Sequence, residues 1–292
     1  MTTTDMPAGQ ADIQAGAEAE LAAVERQPRG ERWGAALRWI LPLSIAIVTL
    51  GAWEYVVWIN EIPHYILPGP SLVAKSLWTD WDTLSDSLLV TLQITFMALG
   101  VAIAGGVGLA ILFTQSRIVE LSLFPYAVIL QVTPIIAIAP LILIYVDSTY
   151  AALLICAWIV AFFPILSNTT LGLNSADHNL VNLFQLYGAS RWQMLWHLRL
   201  PSSMPYFLGG LKIAGGLSLI GAVVAEFAAG TAGTGSGLAY RILESGYRLN
   251  IPRMFAALIL VSLTGIVIFM TFTALSHLIL RKWHESAMKR EN

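Results

Sequence analysis

Long apolar runs separated by short polar segments dominate the chain. Six of these runs are long enough to cross the hydrocarbon core of a bilayer as an α-helix, which takes about 20 residues. They predict membrane spans at about 37–59, 88–113, 121–146, 150–171, 205–228 and 255–280. The predicted fold class is therefore all-α and integral to a membrane, with a transmembrane domain over 37–280.

The two ends of the chain lack this apolar pattern. Residues 1–36 are rich in Ala, Gly, Gln and Glu, and we expect a disordered tail there. Residues 281–292 form a short polar tail.

Prolines modify two parts of the apolar pattern. Pro125, Pro134 and Pro140 fall inside the third run, and we expect kinks there because a proline removes a helix hydrogen bond. Between the first two runs, prolines exclude a regular helix as far as Pro70. Ser71 is predicted to cap a short helix that ends near Trp78.

The polar segment 177–204 (the 177–204 loop) predicts two short helices. Asp177 or Asn179 caps the first helix, and Gly188 ends it. Ser190 caps the second, and Pro201 is predicted to stop it. Both helices have an apolar face, formed by Leu180, Leu183, Phe184, Tyr187, Trp192, Leu195, Trp196 and Leu198. The residues alone leave two interpretations open, a knob that docks on a partner and an amphipathic hairpin on lipid headgroups.

Composition and charge agree with a polytopic membrane protein. Of the 292 residues, 57% are hydrophobic and 12% charged, about half the charge of a soluble domain. Placing both termini in the cytoplasm puts eleven Lys and Arg residues inside and four outside, with Lys212 left within the fifth span. The inside set is Arg26, Arg29, Arg32, Arg38, Arg117, Arg191, Arg199, Arg281, Lys282, Lys289 and Arg290. The outside set is Lys75, Arg241, Arg248 and Arg253.

The sequence offers no catalytic set, so we expect a protein that is not an enzyme and needs no cofactor or metal. The Gly-rich run 230–237 has Ser236 where a P-loop needs lysine, which predicts a flexible turn instead. The single cysteine, Cys156, excludes an intrachain disulfide. Glu226, at the outer end of the fifth span, fits either a structural pairing or a place in a translocation pathway.

The 177–204 loop resembles a known motif. Gly188, Leu198 and Leu200-Pro201 match the latter half of EAA-x3-G-x9-I-x-LP, the cytoplasmic loop of permease subunits in ATP-binding-cassette (ABC) importers. The opening EAA is replaced by Asn182-Leu-Phe184. The nitrate/sulfonate/taurine branch is matched further by Leu67-Pro-Gly-Pro-Ser71, Thr133-Pro134, Ala139-Pro140-Leu141, Ala225-Glu226 and Trp283. The resemblance covers about residues 40–285.

This resemblance implies the type I ABC importer permease fold in a bacterial inner membrane. It implies a permease homodimer, a cytoplasmic ABC ATPase and an extracytoplasmic substrate-binding protein, with no nucleic-acid partner. The helices at 180–200 would be coupling helices seated in the ATPase. The docking residues it implies are Leu183, Phe184, Tyr187, Gly188, Ala189, Ser190, Leu198, Leu200 and Pro201.

The solute is less well defined. The branch carries small oxyanions, whereas close relatives carry pyrimidine thiamine precursors or riboflavin. Only Lys212 lies well within a span, which favours a neutral or aromatic heterocycle over an anion. Candidate pathway residues are Gln93, Gln131, Pro134, Asn168, Ser218 and Glu226, although such side chains also serve as helix contacts. The alternatives are a secondary carrier or channel without an ATPase, and a membrane enzyme.

Overall fold

A computed structural model describes residues 30–230 and 235–281, and the chain divides into two units, 1–61 and 62–292. In the first unit, helix α1 spans Gly30–Ile59. Residues 30–36, predicted as part of a disordered tail, are therefore helical. The rest of that predicted tail, the middle of the Gly-rich run and residues 282–292 with Trp283 lie outside the described residues.

In the described part of the second unit, all regular secondary structure is helical and no β-strand is present. Its helices are α2 (Pro70–Thr79), α3 (Trp81–Gln115), α4 (Arg117–Val132), α5 (Ile135–Tyr145), α6 (Thr149–Leu173), α7 (His178–Leu186), α8 (Arg191–Met194), α9 (Leu200–Ala229), α10 (Leu238–Tyr247) and α11 (Ile251–Leu280). A π turn, Leu195–Arg199, joins α8 to α9. Five described helical segments are long and apolar enough to cross a membrane, and six when the bent pair α4–α5 counts as one span.

Two helices begin earlier than the apolar pattern predicts. The short helix α2 starts at Pro70 after Gly69, so Ser71 lies inside the helix and does not cap it. Proline suits the first position of a helix because that N–H has no intrahelical partner. Helix α3 starts at Trp81, and Asp82 in its first turn interacts favourably with the positive end of the helix dipole.

The third predicted span is broken and not merely kinked. Helices α4 and α5 meet at an angle of 102°, with Thr133 and Pro134 between them. Pro134 has no N–H, so the Leu130 carbonyl loses its usual helical donor. Pro125 and Pro140 lie inside helices. Of the three expected kinks, the break at Pro134 is the one that redirects the chain.

The centre of the second unit is α6, which packs against both α3 and α9. Glycines allow these helices to approach closely. A Cβ atom added at Gly221 of α9 would lie 2.8 Å from the Ala157 Cα of α6. A Cβ added at Gly106 of α3 would lie 2.8 Å from Ile165 Cγ2 of α6. The relative position of α3, α6 and α9 therefore depends on residues with no side chain.

We expect Gly221→Ala to lower the stability of the protein and Gly216→Ala to leave it unchanged or raise it. The added methyl group at Gly221 would force α6 and α9 apart, which costs about 1–3 kcal/mol. Gly216 lies on the same helix with no atom within 4 Å of an added Cβ, and alanine favours helix there by up to about 1 kcal/mol. Thermal unfolding of the two variants in lipid nanodiscs measures the difference. Equal melting temperatures would contradict the tight contact.

Candidate functional site

The first helix of the 177–204 loop begins and ends at the predicted residues. The Asp177 side chain accepts a hydrogen bond from the Asn179 N–H at 2.7 Å and caps α7. Tyr187 follows the last helical residue, and Gly188 has φ +67°. Glycine adopts this left-handed conformation without the steric cost that a Cβ atom imposes. The predicted helix end at Gly188 is confirmed.

The second helix begins as predicted but does not end at Pro201. Ser190 and Gln193 form a capping box, in which the Gln193 N–H donates to Ser190 Oγ and the Ser190 N–H donates to Gln193 Oε1. The helical segment then runs without interruption from Arg191 to Ala229. Pro201 is tolerated because it lies in the first turn of α9, directly after the π turn that changes the hydrogen-bond register. The loop is therefore joined to a membrane helix by continuous helical backbone.

One face of the 177–204 loop is apolar and exposed. Leu186 and Tyr187 are each 85% exposed, and Trp192 and Trp196 are each at least 60% exposed. Leu183 is also exposed, whereas Phe184 and Ala189 are half-buried. Several large apolar side chains exposed on one short segment indicate a site of contact with a partner or a membrane. The predicted apolar face did not include Leu186, which follows Leu183 and Phe184 and precedes Tyr187 in that pattern.

The opposite face of the same helices is buried. Met194, Leu195 and Leu198 are all less than 10% exposed, and Leu195 belongs to the core formed with α3, α6 and α9. Leu200 packs against this core. The Arg191 guanidinium also donates to the Gln115 carbonyl at the end of α3, at 3.2 Å. Leu198 and Leu200, expected as docking residues, thus hold the loop against the helices.

The structure brings together only part of the predicted pathway set. Gln131 and Pro134 line a cavity of about 310 Å³ at the break between α4 and α5. Gln93 is exposed on α3 and is not among the lining residues. Asn168 is half-buried and donates to the Pro164 carbonyl, while Ser218 is fully buried and donates to the Thr95 carbonyl of α3 at 2.7 Å. A pathway role for these residues stays a prediction.

Glu226 joins three helices at the end of α9. Its side chain is 2% exposed and accepts hydrogen bonds from Thr91 Oγ1 of α3 at 2.8 Å and from the Ala239 N–H of α10 at 3.0 Å. Thr91 Oγ1 in turn accepts from the Leu238 N–H at 2.9 Å. Gly237, before α10, supplies no side-chain cap, and a Cβ there would collide with the Glu226 carboxylate. These bonds support the structural interpretation of Glu226, as a cap for α10 supplied from another helix.

A charge cluster fixes the other end of α10. Glu244 accepts a hydrogen bond from the Arg241 guanidinium at 2.9 Å and forms an ion pair with Arg248 at 2.9 Å, and Arg253 lies 4.0 Å away. Arg241 also donates to Ser87 Oγ of α3. The hydrogen bond from Arg241 lowers the pKa of Glu244, and the positive charges of the three arginines lower it further.

We expect this charge cluster to make the stability of the protein around α10 pH-dependent. Because the Glu244 pKa is lowered, its stabilising effect is complete above the ordinary carboxyl pKa of about 4.3 and is lost as pH falls through the lowered pKa. At pH 7 the Glu244→Gln variant should melt roughly 3–6 °C below the wild type. This gap should stay constant from pH 7 down to the ordinary carboxyl pKa and should narrow only below it. A gap that also stays constant below that pKa would show that the Glu244 charge is not involved.

The family of the chain follows from comparison with known proteins. Residues 89–281 match the sequence model of a family described as "Binding-protein-dependent transport system inner membrane component". The chain belongs to this family. It is a membrane transport subunit of the ABC permease class and not an enzyme, and it is called the permease below.

Several curated relatives are similar to the permease over most of its length. It is 30% identical over 241 residues to a probable ABC transporter permease protein of Haemophilus influenzae, covering 82% of this chain and 97% of the relative. It is 31% identical to the riboflavin transport system permease protein RibX of Chloroflexus aurantiacus, covering 84% and 90%. It is also 31% identical to the formylaminopyrimidine transport permease protein ThiX of Halalkalibacterium halodurans, covering 74% and 85%.

The helical architecture of the permease is also found in a solved structure. The crystal structure of an amino acid ABC transporter with histidines superposes with a TM-score of 0.58 at 17% sequence identity. The match covers 71% of this chain and 97% of that chain. At this identity the likeness shows the fold, which is that of an ABC transporter permease.

Proposed function

We propose that the permease forms the solute pathway of an ATP-driven importer and couples to a separate cytoplasmic ATPase through the 177–204 loop. The exposed apolar face formed by Leu186, Tyr187, Trp192 and Trp196 supports this proposal. Continuous helical backbone joins the part of that face with Trp192 and Trp196 to α9, so a displacement there is passed into the membrane. To switch the pathway between two arrangements, ATP must favour one of them by several kcal/mol.

The proposed assembly has two copies of the permease, with the loop and both termini in the cytoplasm. The eleven-to-four distribution of Lys and Arg supports this orientation. In this assembly α10 faces the outside, where a solute-binding protein delivers its cargo. The family description, which specifies dependence on a binding protein, supports that partner.

The proposed solute is a small uncharged heterocycle. The relatives named for riboflavin and formylaminopyrimidine support this class, and both are 31% identical to the permease. Relatives named for aliphatic sulfonates, taurine and nitrate are 25–28% identical, so a small anion is the second candidate. Gln131 and Pro134 are the proposed pathway residues that already line a cavity.

Uptake into proteoliposomes tests this function. The permease is reconstituted with its cognate ATPase and binding protein, and accumulation of radiolabelled riboflavin, formylaminopyrimidine, taurine and nitrate is measured. Accumulation that requires ATP inside the vesicles, and that is unaffected by ionophores, is expected for an importer. Accumulation that is driven by an ion gradient without the ATPase would indicate a secondary carrier instead.

A further inference from the structure

The break between α4 and α5 leaves backbone groups without partners inside an apolar span. Among the described residues, no hydrogen bond reaches the carbonyl oxygens of Leu130, Gln131 or Val132. Within the same described residues, the N–H groups of Ile135 and Ile136 at the start of α5 donate no hydrogen bond. Unpaired backbone groups cost several kcal/mol each in hydrocarbon, so such a break persists in a membrane only where it is covered by protein or lines a water-filled cavity.

A cavity lies at this break. It has a volume of about 310 Å³, near the lower limit for small-molecule sites. The last turn of α4 and the first residue of α5 form one wall, and Val160 and Pro164 of α6 with Leu217 of α9 form another. Gln131 lines the cavity and is exposed, and its side chain forms no hydrogen bond with the described part of the chain. The cavity therefore combines apolar walls with a few unpaired polar groups.

The electrostatic environment of the cavity disfavours an ionic ligand. No charged side chain is among its lining residues. The carboxyl end of α4 carries a partial negative charge, the amino end of α5 a partial positive charge, and the two ends meet at Pro134. An anion would be attracted by the α5 N–H groups but repelled by the α4 carbonyls. A neutral group with adjacent donor and acceptor atoms satisfies both ends.

We propose that this cavity is the solute-recognition site of the permease, and that it binds an uncharged heterocycle with adjoining N–H and C=O groups. The solute N–H donates to the α4 carbonyls, and its carbonyl oxygen accepts from the α5 N–H groups. The Gln131 amide, which both donates and accepts, completes the recognition. The proposal rests on the proposed transport function, because it deepens the choice of solute made there.

Thiol labelling of the whole permease in lipid nanodiscs tests the site without an ATPase. In a Cys156→Ala background, Val160→Cys places one thiol on the cavity wall, and Val267→Cys on the exposed face of α11 is the control. The Val160→Cys thiol is expected to react with a charged methanethiosulfonate at least ten times faster than the control. Riboflavin or formylaminopyrimidine should slow this reaction, whereas taurine and nitrate should not. Equal labelling rates for the two thiols would overturn the site, and so would a failure of both heterocycles to slow the labelling. Slower labelling in the presence of taurine or nitrate would overturn the proposed solute class.

A glutamine pair tests the recognition chemistry. Gln131→Leu in the Val160→Cys protein should raise the heterocycle concentration needed for half-protection about tenfold, because one hydrogen bond to the solute is lost. Gln115→Leu, which changes a half-buried glutamine at the end of α3 outside the cavity, should leave this concentration unchanged. Equal effects of the two changes would overturn the role of Gln131. If protection is observed but no ATPase binds the permease, the site stands and the ATP-driven function fails.

Discussion

The Gly188→Glu permease is expected to fold normally and to lose at least a hundredfold of its affinity for the ATPase. An added Cβ at Gly188 has no atom within 4 Å, so the structural cost is the left-handed backbone, about 1–2 kcal/mol. The new carboxylate, however, adds a charge beside Tyr187 in the middle of the exposed apolar face. Burying an unpaired charge in an interface costs several kcal/mol. Binding of the purified ATPase to permease nanodiscs, together with ATP hydrolysis, measures the loss.

Gly188→Asn is the matched control for the backbone. Asparagine tolerates the left-handed conformation better than other residues with a side chain, and it adds no charge. This variant should bind the ATPase within a few-fold of the wild type. If the asparagine variant fails as completely as the glutamate variant, the turn geometry matters more than the surface. Normal binding by the glutamate variant would remove the 177–204 loop from the interface.

The Glu226→Ala permease is expected to be the least stable of the single variants considered. The change leaves the buried Ala239 N–H without its acceptor, and it leaves the Thr91 hydroxyl with only its longer bond, to the Ser87 carbonyl at 3.2 Å. Each unsatisfied buried group costs about 1–3 kcal/mol, and the missing side chain adds a cavity. The melting temperature should therefore fall by roughly 5–10 °C. Uptake should fall with it, because α10 loses its hydrogen bond to α9.

A double-mutant cycle identifies the cause of that loss. Glu226→Gln keeps one acceptor oxygen and should cost about half as much as Glu226→Ala. Thr91→Val removes the hydroxyl that links Glu226 to the Leu238 N–H, so its effect and that of Glu226→Ala should be less than additive. Strictly additive effects would show that the two side chains act independently, contrary to the observed hydrogen bonds.

Local chemistry allowed much of the 177–204 loop to be predicted from sequence. The caps at Asp177 and Ser190 and the helix end at Gly188 depend on side chains within a few residues of the helix end. The continuation of the helix past Pro201 was not predicted, because the π turn before it is stabilised by the buried side chains of Leu195 and Leu198. Those contacts join residues far apart in the sequence.

The same distinction applies to the membrane helices. The apolar pattern predicted long helices that are apolar enough to cross a bilayer, since length and composition are properties of the sequence itself. It did not give the 102° turn at Pro134, because Pro125 and Pro140 look the same in the sequence and lie inside helices. The sequence also could not decide between a structural role and a pathway role for Glu226. Its partners, Thr91 and Ala239, are identified only by the packing of α3 and α10 against α9.

Site-specific photo-crosslinking tests the central claim most directly. A photoreactive amino acid replaces either Tyr187 of the 177–204 loop or Tyr247 of α10, which are 85% and 86% exposed. Each variant is assembled with the ATPase and the binding protein in membrane vesicles and irradiated. Position 187 is expected to crosslink to the ATPase, and position 247 is not. A crosslink to the ATPase from position 247, or none from position 187, would contradict that claim.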